Sequence, residues 1–311
     1  MSAPRAIFLG SKAFGLSVYR ALAAAAPEVT WTVVHPEDSG DGRSVLADFT
    51  AVVPAADFHI VASRAEAAAL IAATDYDLGF VCGWYWLLTE AEVGAEAAPL
   101  YGIHNSLLPA YRGGAPLVWA MIDGVAELGS TLFRLTSGMD DGPVVTQVRH
   151  ALGPEETIAD VTAAIEAAYL AALPGLWPAI VAGTAPGAMQ DEAAATYSAQ
   201  RRPEDGRINW QHPAADLHNF IRAQSAPYPG AFTHLDGSRI TIDRARPFEA
   251  RYACRPGQIL RRSPQGVLVG CGDSTALWVL AAHDDADTHD LATLFAPARG
   301  RILGQPGDPT P

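Results

Sequence analysis

His104-Asn105-Ser106-Leu107-Leu108-Pro109-Ala110-Tyr111-Arg112-Gly113-Gly114-Ala115-Pro116 is the stretch from which the fold can be read. An apolar run, Pro99 to Ile103, ends where it begins, and an apolar helical pattern, Leu117 to Ile122, follows it. Strand, turn-rich loop and helix, with a proline suited to the first helical turn, is the order of an α/β protein. A histidine at the carboxyl end of such a strand stands where open parallel sheets keep their chemistry. The plain alternative is a histidine that satisfies a core hydrogen bond; the density of special residues around His104 weighs against it.

Working upstream, Ala6 to Gly10, Val29 to His35, Phe58 to Ala62 and Asp77 to Cys82 read as strands, alternating with helical patterns at Phe14 to Ala26 and Arg64 to Thr74. Between them, Gly40 to Ala56 reads as loop and a weak helix. Continuous rather than every-other-residue apolar strands indicate a parallel sheet covered on both faces. Gly10 to Gly15 holds neither a G-x-G-x-x-G fingerprint nor a P-loop, which argues against dinucleotide binding. Downstream, Ser130 to Leu135 and Val144 to Val148 frame a turn, Ser137 to Pro143, with acids at its tip. Thr157 to Leu173 reads as a long amphipathic helix that resumes at Leu176 after Pro174-Gly175. Residues 184 to 206 are polar and proline-bearing and read as an extended connector. After a helix at Ala214 to Arg222 come five short strands at close spacing, the pattern of a small or partly open β-barrel; the tail after Pro297 reads as poorly ordered.

Composition limits the partners. The chain has 311 residues, a net charge of −13 and a single lysine, Lys12; residues 205 to 311 balance 11 arginines against 11 acids, so the whole acidic excess lies upstream. A surface for duplex or transfer RNA normally shows as a basic patch, and none is visible. No apolar run approaches the roughly 20 residues that span a bilayer, so a cytoplasmic protein without a membrane partner is expected. Cys82, Cys254 and Cys271 are far apart and lack metal-ligand spacing, so reduced structural thiols and no metal site are expected.

Four motifs in order resemble the folate-dependent formyltransferases, the family that includes methionyl-tRNA and aminosugar formyltransferases. They are Gly83-Trp84-Tyr85-Trp86-Leu87-Leu88; Ile103 to Pro109 with Arg112-Gly113; Gly138-Met139-Asp140-Asp141-Gly142; and Arg202 to Trp210 with Ile221 to Ala231. The resemblance implies a Rossmann-like parallel-sheet domain over 1–190, a linker over 191–206 and a small β-rich, OB-like barrel domain over 207–311. It also implies transfer of a formyl group from 10-formyltetrahydrofolate to an amine. His104 matches the family histidine and Asp140 its aspartate. Those residue types suit the chemistry: an attacking amine must lose a proton and a formyl oxygen gains negative charge, and imidazole beside carboxylate serves both needs.

By the same resemblance, Trp84, Trp86, Leu87 and Leu88 border the folate, with Leu108, Gly138 and Met139 shaping its pocket; ordinary core aromatics are the alternative. Arg112 and Lys12 are candidates for an anionic acceptor, against a structural ion pair for the first and a solvated surface lysine for the second. One position departs from the family: Gly102 stands where its asparagine donates to the formyl oxygen, a type of loss that costs about 10²- to 10³-fold in rate. Asn105 could supply the amide, a water could fill the space, or the chemistry could be altered or lost. The small-molecule amine expected first is a nucleotide-linked aminosugar, then an amino acid or hydroxyornithine-type amine. A methionyl-tRNA formyltransferase and a folate-binding relative with lost catalysis remain as alternatives.

Overall fold

The computed structural model describes residues 3–41, 44–93, 98–296 and 300–304. Its first sheet is built of β1 (Arg5–Gly10), β2 (Thr30–Pro36), β3 (Phe58–Val61), β4 (Leu78–Cys82) and β5 (Leu100–His104), joined beyond the two-residue strand β6 (Arg112–Gly113) by β7 (Glu127–Arg134) and β8 (Val144–Ala151). The seven strands run in the order β3-β2-β1-β4-β5-β7-β8. The pairs β1–β2, β2–β3, β1–β4 and β4–β5 are parallel, and β5–β7 is antiparallel. Strand order reverses between β1 and β4, which places a crevice at their carboxyl ends. The helices of this part are α1 (Lys12–Ala25), α2 (Leu46–Val52), α3 (Arg64–Ala73), α4 (Glu90–Val93), α5 (Pro116–Ile122) and α6 (Ile158–Val181). Pro116 occupies the first turn of α5, as the sequence indicates.

Side-chain alternation sorts the core into two layers. Ala6, Phe8, Val33, Phe80 and Tyr101 face a cluster with Leu16, Val18 and Leu22 of α1 and Tyr169, Leu173 and Trp177 of α6. Ile7, Leu9, Val34 and Leu100 face the other way, against Ala67 and Ile71 of α3. Each fully buried Phe or Leu contributes about 1.5–3 kcal/mol, so continuous apolar strands are what a sheet covered on both faces requires. The expected break at Pro174-Gly175 is corrected: α6 runs through Pro174 and Pro178 without interruption. The stripe Tyr169, Leu173, Trp177 and Ile180 is buried on one side, and Trp177 stacks on Trp31 at 5.5 Å. That packing outweighs the hydrogen bonds the prolines remove. Contrary to the sequence expectation, this helix is long and apolar enough to cross a bilayer by length and composition, its 24 residues holding an 18-residue window of mean hydropathy 1.5; Tyr169, Leu173, Trp177 and Ile180 form the stripe that joins the sheet's core.

The second sheet contains β10 (Ala231–Leu235), β11 (Ser238–Pro247), β12 (Ile259–Ser263), β13 (Gly266–Gly270) and β14 (Ala276–Asp284), preceded by a short strand, β9 (Tyr197–Ser198), which pairs with β6. It is antiparallel throughout, in the order β10-β11-β14-β13-β12. This is the β-rich domain expected, in its open form. One face packs on α7 (Ala214–Arg222) through Leu217 and Ile221, and Phe295, just past α8 (Leu291–Leu294), joins the same core. The polar stretch read as a free connector is pinned instead: Val144 and Ala188 exchange backbone hydrogen bonds, and Arg112 N–H donates to Thr196 O at 2.8 Å. Contacts divide the chain into two interleaved units, residues 1–113, 129–149 and 164–197 in one, and 114–128, 150–163 and 198–311 in the other. The tail expected to be poorly ordered lies outside the described residues apart from 300–304, which include the Ile302 bridge to Gln258.

Candidate functional site

The loops that leave β1 and β4 are tied together at the reversal point. Ser11 N–H donates to Cys82 O at 3.2 Å, and its hydroxyl donates to Gly83 O at 2.6 Å. Beyond Gly83, Trp84 and Trp86 meet edge to face at 5.2 Å. With Leu88 and Leu135 they pack against the layer that contains Leu100. Alternation along β5 puts Gly102 and His104 on the same face as Leu100, so the tryptophans and His104 share one side of the sheet. The indole N–H of Trp84 is buried and has no acceptor among the described residues. Leu87, placed with this wall by resemblance, is 86% exposed.

His104 is 9% exposed at the end of β5, where it pairs with Thr131. Its Nε2 lies 2.8 Å from Tyr111 O, and its Nδ1 lies 3.6 Å from Asp140 Oδ2. A carbonyl only accepts, so Nε2 carries the hydrogen and Nδ1 is the nitrogen free to take up a proton. The Nδ1–carboxylate separation is too long for a hydrogen bond; a protonated ring would make it an ion pair. Asp140 has a left-handed backbone, φ 51°, which Asp tolerates better than most residues. Two contacts hold it, and a third holds its turn. Its Oδ2 accepts from Gly113 N–H at 2.8 Å, its carbonyl accepts from Gln190 Nε2 at 2.7 Å, and the same amide also donates to Gly142 O at 2.8 Å. Gly113 has φ 100°, which a side chain would strain.

Asn105 is not brought to this pair. Its Oδ1 accepts from Ser130 Oγ at 3.0 Å. Ser130 neighbours the Thr131 that pairs with His104, so alternation puts the amide on the opposite face of the sheet. The space at Gly102 is not open for a bridging water either: a Cβ there would stand 2.7 Å from Leu135 Cδ2 and 3.4 Å from Phe133 Cε1. Leu108 is buried, its N–H donating to Thr131 Oγ1 at 3.1 Å and its carbonyl accepting from Gln147 at 2.8 Å. Gly138 and Met139 are exposed on the turn, and Asp141 takes a hydrogen bond from Thr136 there.

Two expected acceptor-binding residues, Arg112 buried and Lys12 partly exposed, are paired within the chain. Arg112, 1% exposed, donates to both carboxylate oxygens of Glu192 at 2.9 and 2.6 Å and to Gln190 Oε1 at 3.2 and 2.9 Å. The Glu192 hydrogen bonds outweigh desolvation and hold its proton more tightly than usual. Its fork is spent on the chain itself. Lys12 donates to Asp38 at 3.2 Å and Asp41 at 2.7 Å and lies over the Tyr85 ring at 4.8 Å. Desolvation opposes its charge, but hydrogen bonds with Asp41, Tyr85 and Asp38 prevail and raise its pKa. Gln190, Glu192 and Thr196 carry no motif; the signal for the first two was the need of a buried guanidinium for acceptors.

Comparison with known proteins agrees with this architecture. A formyl transferase family model matches residues 5–175, and a formyl transferase C-terminal domain model matches residues 201–293. Among solved structures, the sugar 3N-formyl transferase WlaRD is 15% identical with a TM-score of 0.67, covering 92% of this chain and 99% of its own. An N-formyltransferase from Helicobacter canadensis is 14% identical with a TM-score of 0.67, over 88% of this chain and 98% of its own. HypX from Aquifex aeolicus is 18% identical with a TM-score of 0.61, over 96% of this chain and 49% of its own. At these identities the structures establish a shared fold, and with the first family model spanning more than half of its length, the chain belongs to the formyl transferase family.

Proposed function

We propose that the protein transfers a formyl group from 10-formyltetrahydrofolate to the amine of a small molecule, with a nucleotide-linked aminosugar as the first acceptor class to test. The observation that carries this reading is the His104–Asp140 pair at the crevice edge, 3.6 Å apart with the ring's other nitrogen occupied by Tyr111 O. The relatives support the choice of ligands: WlaRD was solved with dTDP and 5-N-formyl-THF, the Helicobacter protein with folinic acid and dTDP-3-aminofucose, and HypX with tetrahydrofolic acid.

A folate in the crevice would bring the formyl group. The apolar wall of Trp84, Trp86 and Leu88 and the unsatisfied Trp84 N–H fit a heteroaromatic ring with acceptors on its rim. In this reading Nδ1 of His104 accepts the proton the amine loses and returns it to the folate nitrogen as that nitrogen's bond to the formyl carbon breaks, and the Asp140 carboxylate, held by Gly113 N–H, stabilises the imidazolium in between. Charge developing on the formyl oxygen then faces His104, because position 102 offers no donor and Asn105 lies on the other face. The test is single-turnover release of tetrahydrofolate with a panel of amines that includes nucleotide-linked aminosugars. Amine-dependent release that disappears in His104→Ala is expected; no amine-dependent release with any acceptor would overturn the reading.

The Gly102–Leu135 packing favours a second reading, a folate-binding relative whose catalysis is altered. Folate binding without amine-dependent turnover would distinguish it.

A further inference from the structure

The second sheet assembles a cluster that the sequence spacing did not suggest. In the pairing of β11 with β14, Thr241 stands opposite His283 and Ile242 opposite Ala282, and the register shifts between Ile242 and Arg244. Asp243 is therefore the extra residue of a bulge, a device that re-aims a side chain. Its Oδ2 lies 2.9 Å from His283 Nδ1. The chain after β14 folds back on Asp284, whose Oδ1 accepts from Ala286 N–H at 3.0 Å and from Thr288 N–H at 2.9 Å, and Asp287 takes a left-handed backbone, φ 62°. This turn returns the His289 ring to within 5.5 Å of the His283 ring. Asp287 Oδ1 lies 3.0 Å from His289 Nε2.

We propose that Asp243, His283 and His289 form a binding site for a divalent first-row transition-metal ion of the zinc type. One ligand atom from each of the three lies within 4.8 Å of the other two. Donors around a tetrahedral ion with bonds of 2.0–2.1 Å stand about 3.3 Å apart, so a small side-chain closure completes three corners and leaves the fourth to water or a further carboxylate. The donor set selects the ion. Two imidazoles and one carboxylate suit zinc, nickel, cobalt or copper, whereas calcium and magnesium take oxygen ligands. Asp284, Asp285, Asp287 and Asp290 flank the histidines in sequence, and negative charge concentrated in such a segment favours cations. Asp287, 3.0 Å from His289 Nε2, places a further carboxylate beside the cluster. The half-exposed cluster leaves the ion a path in from solvent. An ion held there clamps the 285–290 turn, and α8 behind it, to the sheet.

The site lies wholly in the second unit and is independent of the formyl-transfer reading. Its test uses the full chain, free of any histidine tag and stripped with chelator, titrated with Co²⁺ and then Zn²⁺. One Co²⁺ per chain with visible absorption, displacement by Zn²⁺, and a thermal midpoint raised by Zn²⁺ are expected. His289→Ala, on an exposed turn, is expected to weaken binding at least ten-fold with an unchanged far-ultraviolet spectrum, and Asp243→Asn and His283→Ala to do the same. Absence of stoichiometric binding, or binding kept by the His283→Ala/His289→Ala double variant, would overturn the proposal.

Discussion

A ring nitrogen bonded to a carbonyl has no choice of tautomer, and that gives His104 one working nitrogen, Nδ1, beside Asp140. His104→Ala is expected to lower kcat for formyl transfer by about 10²- to 10⁴-fold, as loss of a general base does, measured with the best acceptor found. Gln190 reaches the His104 pair through Asp140, while its Oε1 also accepts from the buried Arg112 guanidinium. Its removal frees the Asp140 and Gly142 carbonyls, and a loss of about 1.4 kcal/mol in positioning lowers kcat about ten-fold. Gln190→Ala should therefore change kcat while leaving KM near its native value; the reverse pattern would deny it a positioning role. At Gly102, a new side chain meets Leu135. Gly102→Asn is expected to destabilise the fold by roughly 1–3 kcal/mol, the usual cost of overpacking, and Leu135→Ala to relieve much of it in a denaturation cycle. His104 and Asp140 were legible because their motif neighbours stand in order along the chain. The burial of Arg112 was not: a guanidinium reads the same in sequence whether its acceptors come from solvent, substrate or Glu192.

At the scale of elements, the Lys12–Asp38 junction between the β1 and β2 loops has a pH signature. Burial alone would raise the Asp38 pKa, but hydrogen bonds from Ser44, Tyr85 and Lys12 overcome it and lower the value below 3.8. A carboxylate depressed in the folded state adds stability above its unfolded pKa and loses it as pH falls through the folded value. The stability difference between the native chain and Asp38→Asn should hold near pH 6 and shrink below about pH 4, as urea melts across that range would show; a pH-independent difference would contradict it. Most strands were legible from their apolar runs to within a few residues. The misreadings share a cause, tertiary contacts that outweigh local signals. α6 continues through two prolines because its buried stripe holds it. The 184–206 stretch has no apolar period, yet Gln190 and Glu192 anchor it on Arg112 and β9 pairs with β6. β11 and β14 exceed their apparent lengths because a bulge lets pairing continue past it.

Across the whole molecule, the two units are not consecutive in sequence. Residues 114–128 and 150–163 belong with the C-terminal sheet, so a cut at the connector removes part of that unit. Arg222 is buried, and its guanidinium donates to Gly153 O at 2.6 Å and Glu156 O at 3.1 Å. Without those acceptors the guanidinium keeps Asn219 Oδ1, at 3.1 and 2.9 Å, but its Nη1 loses both of the carbonyls named, and an under-satisfied buried charge costs several kcal/mol against a net stability of about 5–15. A 207–311 fragment is expected to lack a cooperative unfolding transition that the full chain shows in the same denaturant series. The packing of Leu135 at Gly102 also makes the two positions one steric unit: a larger residue at 102 meets a leucine side chain already there, so what filling position 102 costs is decided by what stands at 135, and the two positions are to be varied together rather than singly.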